Sequence, residues 1–248
     1  MRVGEKRPVD LTVAVLGDFT VRFRGEPLDL APGLPAQAVR FVAVHGGRVG
    51  ADRLRGALWP DASPEEGRKG IRNVLSRLRP ADVAILERED DSLRLPRSSR
   101  VDALVFRTIA DRVLTNIARG GAALEGARLA LDHYRGDLLP DDDAAWLERP
   151  RAALRRRRAV LLDLLAADAR RRGVWREAAA LLELGIEAEP HDEVRRLEAA
   201  EVLLQAGRRG RAAVHIAESR AVLAELGLSP SQDWRDLERR LHKDGSHP

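Results

Sequence analysis

Hydrophobic and polar positions change their spacing along the chain. From Leu11 to Leu30 apolar residues alternate with polar ones, as in Phe19-Thr20-Val21-Arg22-Phe23, with Arg24-Gly25-Glu26-Pro27 as a turn before Leu28-Asp29-Leu30. A period of two predicts three short antiparallel strands here. After Pro32-Gly33 the apolar positions Ala36, Val39, Phe41, Val42 and Val44 fit a helix ending at Gly46-Gly47. Asp52 to Leu58 fits a second, with Asp52 as N-cap and Trp59-Pro60 closing it. Ser63-Pro64-Glu65-Glu66 opens a third, because serine caps, proline suits the first turn and carboxylates favour the positive helix end. Pro80 should stop that helix after Arg79. Val83-Ala84-Ile85-Leu86 and Leu93-Arg94-Leu95 then flank the polar tip Arg88-Glu89-Asp90-Asp91 of a predicted β-hairpin, and Pro96 to Arg100 reads as a linker.

Beyond Val101 the pattern is helical almost throughout, with about seven helices separated at Gly120-Gly121, Gly136 to Pro140, Gly173, Pro190, Gly207 and Gly227 to Pro230. Gly173 and Gly207 stand 34 residues apart, and Ala178-Ala179 matches Ala212-Ala213 at the same interval. That is the tetratricopeptide period, in which small residues let paired helices approach closely. The expected fold is mainly α with a small β component: a winged helix-turn-helix over 1–100, then an all-α tetratricopeptide-like domain over 101–248.

Composition narrows the function classes. The chain has 248 residues, 44% hydrophobic and 33% charged, enough for ordinary buried cores. No stretch approaches the ~20 apolar residues of a membrane span, so no membrane partner is expected. Met1 to Asp10 has no apolar run, so no secretory signal is predicted and the cytoplasm is the expected compartment. With no cysteine, disulfides and thiolate metal sites are excluded. All but three of the 43 basic residues are arginine, a bias that suits a GC-rich genome and says little about partners by itself. The distribution says more: residues 1–100 hold 18 basic and 14 acidic side chains, residues 101–248 hold 25 of each.

The third helix carries the sharpest chemistry. At about 100° per residue, Ile71, Val74, Leu75 and Leu78 fall on one side, while Lys69, Arg72, Asn73, Ser76, Arg77 and Arg79 fall on the other. No acidic residue lies between Gly67 and Arg79. A face of cations and amides suits the DNA major groove, where arginine pairs bidentately with guanine and asparagine with adenine while flanking cations meet phosphate. Two helices before this one and a hairpin after it make the order of a winged helix-turn-helix, and Arg88 and Arg94 of the hairpin are the candidate wing contacts to phosphate.

Val15-Leu16-Gly17-Asp18-Phe19, Pro35-Ala36, Gly47-Arg48-Val49, Leu58-Trp59-Pro60-Asp61 and Ser76-Arg77-Leu78-Arg79 together resemble the DNA-binding domain of the Streptomyces antibiotic regulatory protein family. Tyr134-Arg135-Gly136-Asp137-Leu138-Leu139, the 34-residue repeat and Glu225-Leu226-Gly227-Leu228-Ser229-Pro230-Ser231 resemble that family's bacterial transcriptional activator domain. The resemblance implies an OmpR-like winged helix joined to a tetratricopeptide-like domain. It further implies binding to direct repeats of double-stranded promoter DNA as a homodimer, recruitment of RNA polymerase holoenzyme, and control of antibiotic or other secondary-metabolite biosynthesis genes. Two departures stand out: the glycine-aromatic wing of the family is replaced by Glu87-Arg88-Glu89-Asp90-Asp91, and Pro80 ends the recognition helix early.

Other chemistry is not indicated. The six histidines show no metal-ligand spacing, no phosphate loop or nucleophile-base pair is legible, and neither cofactor nor enzymatic activity is expected. Asp141-Asp142-Asp143 reads as a helix cap, and the run Arg149, Arg151 and Arg155 to Arg158 as a solvated face. Two other readings stay open: an interaction module whose winged helix has lost DNA affinity, and a ligand-gated repressor.

Overall fold

The computed structural model describes residues 11–79, 84–118, 123–190, 192–225, 227 and 229–243. Met1 to Asp10, the Pro80 stop, Val83, the Gly120-Gly121 break, His191, His247, Leu226 and Leu228 lie outside these residues. Two compact units make up the chain: Met1–Ile109 with Ala130–Leu154, and Ala110–Leu129 with Arg155–Pro248. No helix among the described residues is long and apolar enough to cross a membrane.

The first unit opens with β1 (Leu11–Ala14), β2 (Thr20–Phe23) and β3 (Glu26–Pro27), antiparallel in sequence order. The β2–β3 turn is tighter than the sequence suggests. Phe23 pairs with Glu26, so only Arg24 and Gly25 are left in the loop, at φ 51° and 88°. Two consecutive positive φ values make the turn whose twist matches its flanking strands, and Glu26-Pro27 therefore falls in the strand. Next come α1 (Leu34–Val44), β4 (Arg48–Gly50), α2 (Ala51–Leu58), α3 (Pro64–Arg77), β5 (Glu87–Glu89), β6 (Ser92–Arg94) and β7 (Arg100–Val101). Sheet order is β3-β2-β1-β7 for one sheet and β4-β6-β5 for the other.

Several elements correct the sequence reading. Gly50 caps α2 and no side chain caps it, so Asp52 sits in the first turn. The hairpin strand is Glu87–Glu89, whereas Ile85 and Leu86 are buried in a bend before it. Glu87 stands opposite Arg94 at 2.7 Å, so cross-strand charge supports this pairing and hydrophobic alternation could not reveal it. Neither β4 nor β7 was expected, because strands of three and two residues carry no readable period.

Two sequence motifs that lie over a hundred residues apart meet in this unit. Leu16 bridges to Leu138, Gly17 N–H donates to the Asp137 carbonyl at 2.8 Å, and Leu139 N–H donates to Val15 at 2.9 Å. A Cβ on Gly136 would come within 3.1 Å of Gly17 Cα, so the missing side chain of Gly136 allows this close approach, while Gly17 is suited to its place by a φ of 88°. Asp102, the first residue of α4 (Asp102–Ala118), accepts from Val15 N–H at 2.9 Å, Leu16 N–H at 3.0 Å and Ala103 N–H at 2.7 Å. Burial pushes its carboxyl above the usual range, and those donors pull back. Arg151 then ties the Leu138 loop to α6 (Glu148–Arg171), donating to the carbonyls of Leu138 at 2.7 Å, Asp142 at 2.6 Å and Leu139. The basic run is thus no solvated face. Only Arg149 and Arg156 are exposed, while Arg151, Arg155, Arg157 and Arg158 are half-buried. The aspartates do not cap a helix through their side chains either, since α6 is entered through a 3-10 turn, Ala145–Leu147, whose cap Ala144 has no side-chain bond. Asp142 instead accepts from Ala144 N–H at 3.2 Å and from Arg40 at 3.1 Å.

Phe41, His45 and Trp146 stack in the same unit, with Phe41 edge-on to Trp146 at 5.0 Å. His45 donates Nδ1–H to the Phe41 carbonyl at 2.8 Å. Burial holds its pKa below the ordinary 6.5, with Arg53 adding to that and the backbone bond opposing it. An unfolded His45 therefore takes up a proton near pH 6.5 while the folded one resists it, so this group removes stability as pH falls below 6.5. Between pH 7.5 and 5.5 the melting temperature of a His45→Gln variant should fall less than that of the parent; equal slopes would remove His45 from the pH response.

The second unit is helical. It is built from parts of α4, α5 (Leu124–Asp132) and α6, with α7 (Trp175–Ala188), α8 (Glu193–Gln205), α9 (Arg209–Glu225) and α10 (Gln232–Lys243). The 34-residue period is real in the backbone. Gly173 N–H donates to Arg170 and Val174 N–H to Ala169; Gly207 N–H donates to Leu204 and Arg208 N–H to Leu203. Both glycines sit at positive φ, 73° and 71°, so the same C-terminal motif closes both first helices. Ala169, Ala178, Ala199 and Ala212, all fully buried, leave the helices little side chain to keep them apart. Gly185 serves a related purpose: its missing Cβ would meet Arg195 Cδ at 2.7 Å, and Arg195 lies there, buried, donating to both oxygens of Asp163 at 2.8 Å.

Candidate nucleic-acid interface

Local sequence builds α3 from its start. Ser63 Oγ accepts from Glu66 N–H at 3.3 Å while Glu66 accepts from Ser63 N–H at 2.9 Å and from its hydroxyl at 2.7 Å, a complete capping box. The hydroxyl bond, with the backbone bond second, holds the Glu66 carboxyl below its usual range. Pro64 takes the first helical position and Leu78 closes the helix, one residue before Arg79. Ile71, Val74 and Leu78 are buried, and Leu75, expected beside them, is half-buried.

Two glycines set how α3 meets α2. Gly67 lies under the Arg55 side chain, and Gly70 lies under the indole of Trp59, where an added Cβ would stand 2.8 Å from two ring carbons. Each glycine costs the helix up to about 1 kcal/mol of propensity, which close packing offsets. Gly70→Ala should therefore destabilise the first unit by about 1–3 kcal/mol despite its better helix propensity. Chemical denaturation checks this, and a gain in stability would show that Trp59 yields freely.

The opposite face is open. Lys69, Arg72, Asn73, Ser76, Arg77 and Arg79 are all exposed, and among the described residues none of their four basic side chains has an acidic partner. Sequence reasoning omitted Arg68, which is exposed one turn before Arg72 on the same helix. From Gly67 to Arg79 the chain carries five basic side chains and no acid.

The wing is organised differently. Glu89 lies 3.6 Å from Arg48, 3.4 Å from Arg94 and 3.5 Å from Arg97, and Arg94 also meets Glu87. Arg94 is largely covered, and Arg88 lies 3.9 Å from Asp91 and donates to the Asp90 carbonyl at 3.2 Å. Glu87 and Glu89 therefore neutralise arginines of β4, β6 and the segment that follows β6. Arg48 and Arg97 were missed in the sequence because Arg48 is 41 residues from Glu89 and nothing local announces the pairing.

A family model described as the bacterial transcriptional activator domain matches residues 101–242. The chain belongs to this family. Membership identifies it as a transcriptional activator of the Streptomyces antibiotic regulatory protein type, and the resemblance read from its motifs holds. The chain is also similar in structure to one described as Mycobacterium tuberculosis EmbR in complex with low affinity phosphopeptide, at 23% identity and a TM-score of 0.71. The match covers 95% of this chain and 65% of that one. At that identity the likeness is one of fold: a winged domain followed by a helical one. No curated protein sequence matches this activator. The motif Tyr134 to Leu139 falls within the matched activator-domain region yet packs in the first unit, against β1.

Proposed function

We propose that this activator lays α3 in the major groove of promoter DNA and recruits RNA polymerase holoenzyme. The observation that supports this most is the acid-free, unpaired face of α3. Arg72, Asn73, Ser76 and Arg77 are the proposed base readers, and Lys69 and Arg79 the proposed phosphate contacts. Arg88 and Arg94 are the proposed wing contacts, Arg94 only when phosphate takes the place of Glu87 and Glu89. From the family resemblance we take binding to direct repeats as a homodimer, targets among secondary-metabolite biosynthesis genes, and a division of labour in which 1–100 contact DNA and 101–248 serve activation. A salt titration of binding to a genomic promoter pool tests the reading. Enrichment of particular promoters that persists as salt rises is expected; loss of all binding without preference would leave an interaction module.

The wing supplies a further test of the same reading. Glu89→Gln frees Arg48, Arg94 and Arg97 from one carboxylate, so binding to every duplex should tighten and the salt slope steepen by about 1 for each new phosphate contact. Promoter preference should not change. Weaker binding in that variant would mean that Glu89 holds the wing in its binding shape.

A further inference from the structure

In the helical unit most arginines are already spoken for: Arg172 by Asp168 and Glu177, Arg195 by Asp163, Arg196 by Glu218 and Arg220 by Glu238. Several have no acidic partner among the described residues, Arg112 and Arg156 among them, and two of these share a site: Arg176 near the start of α7 and Arg208 in the turn before α9, both exposed. They line one groove of about 260 Å3 together with Ala180, Glu183, Ala206 and Arg211. Glu183, the one acid in the lining, is taken by Arg211 at 3.0 Å and approached by His215 Nε2 at 3.4 Å. The lining thus combines alanines, an acid that is already paired and two guanidiniums without acidic partners.

We propose that this groove binds an acidic peptide segment of a protein partner, with carboxylates on Arg176 and Arg208 and an apolar side chain over Ala180 and Ala206. Guanidinium and carboxylate match in bidentate geometry, and the pairing gains from a partly dehydrated site. A nucleic acid fits less well. Residues 101–248 hold 25 basic and 25 acidic side chains, so no broad positive field draws a polyanion here.

The test uses the full chain and a fluorescein-labelled peptide of alternating leucine, aspartate and glutamate, read by anisotropy. Saturable binding is expected, weakened at least tenfold in Arg176→Glu/Arg208→Glu and unchanged in Arg156→Glu, an exposed arginine outside the groove. A circular dichroism melt of the double variant separates lost binding from lost fold, and Arg176→Gln/Arg208→Gln should show a smaller loss in the same direction. Three results would overturn the proposal: no binding at millimolar peptide, full binding by both double variants, or displacement of the peptide by random-sequence duplex as readily as by unlabelled peptide.

Discussion

Arg151→Met should cost the first unit about 2–4 kcal/mol, because a single guanidinium satisfies the carbonyls of Leu138, Leu139 and Asp142 and methionine leaves all three without that donor. Those carbonyls belong to the segment that extends β1 through Gly17, Asp137 and Leu139, and Leu139 is held at φ 46°, a conformation that branched and bulky residues rarely adopt. Without the fork, that residue has a reason to relax and the sheet loses its neighbour. Arg151→Lys should recover only part of the loss, since an ammonium is a point donor that cannot reach three carbonyls in a plane. Urea unfolding followed by tryptophan fluorescence measures the effect, Trp146 lying in this unit against Phe41. A loss below 1 kcal/mol would mean that water replaces the guanidinium at little cost.

Arg72→Ala and Asn73→Ala should each weaken binding to a preferred promoter by about 1–3 kcal/mol and relax preference at one base position, because both project from the acid-free face of α3. Neither should move protein stability, since both side chains are exposed and unpaired. Lys69→Ala and Arg79→Ala should instead weaken binding to all sequences and flatten the salt slope by about one unit each. Selection from a randomised duplex pool, repeated at two salt concentrations, separates the two groups. Equal losses on every sequence for Arg72→Ala and Asn73→Ala would place α3 along the phosphates and remove it as the reading element.

Strongly local features were legible in the sequence. The capping box at Ser63 and Glu66, the buried stripe of Ile71, Val74 and Leu78, and the cationic face opposite it all depend on residues within two or three turns of one helix, and periodicity reports such neighbours faithfully. The 34-residue repeat was legible for the same reason: each glycine closes its own helix through bonds that span five residues. The family followed from these motifs taken together.

Long-range pairing was not legible. The acidic hairpin reads in sequence as a departure from the family's glycine-aromatic wing, but the fold brings Arg48 and Arg97 to Glu89 and turns it into a neutralised hub. Arg151 reads as one cation in a solvated run, but the fold aims it at three carbonyls 9 to 13 residues away. Gly17 and Gly136 read as separate turn residues, but tertiary contact makes them one close approach. Local sequence set which helices form and which faces they keep polar, because those depend on bonds and burial within a few turns. Which charge meets which, and which glycine must stay a glycine, depends on distances between segments far apart in the chain, and those exist only after the units have folded.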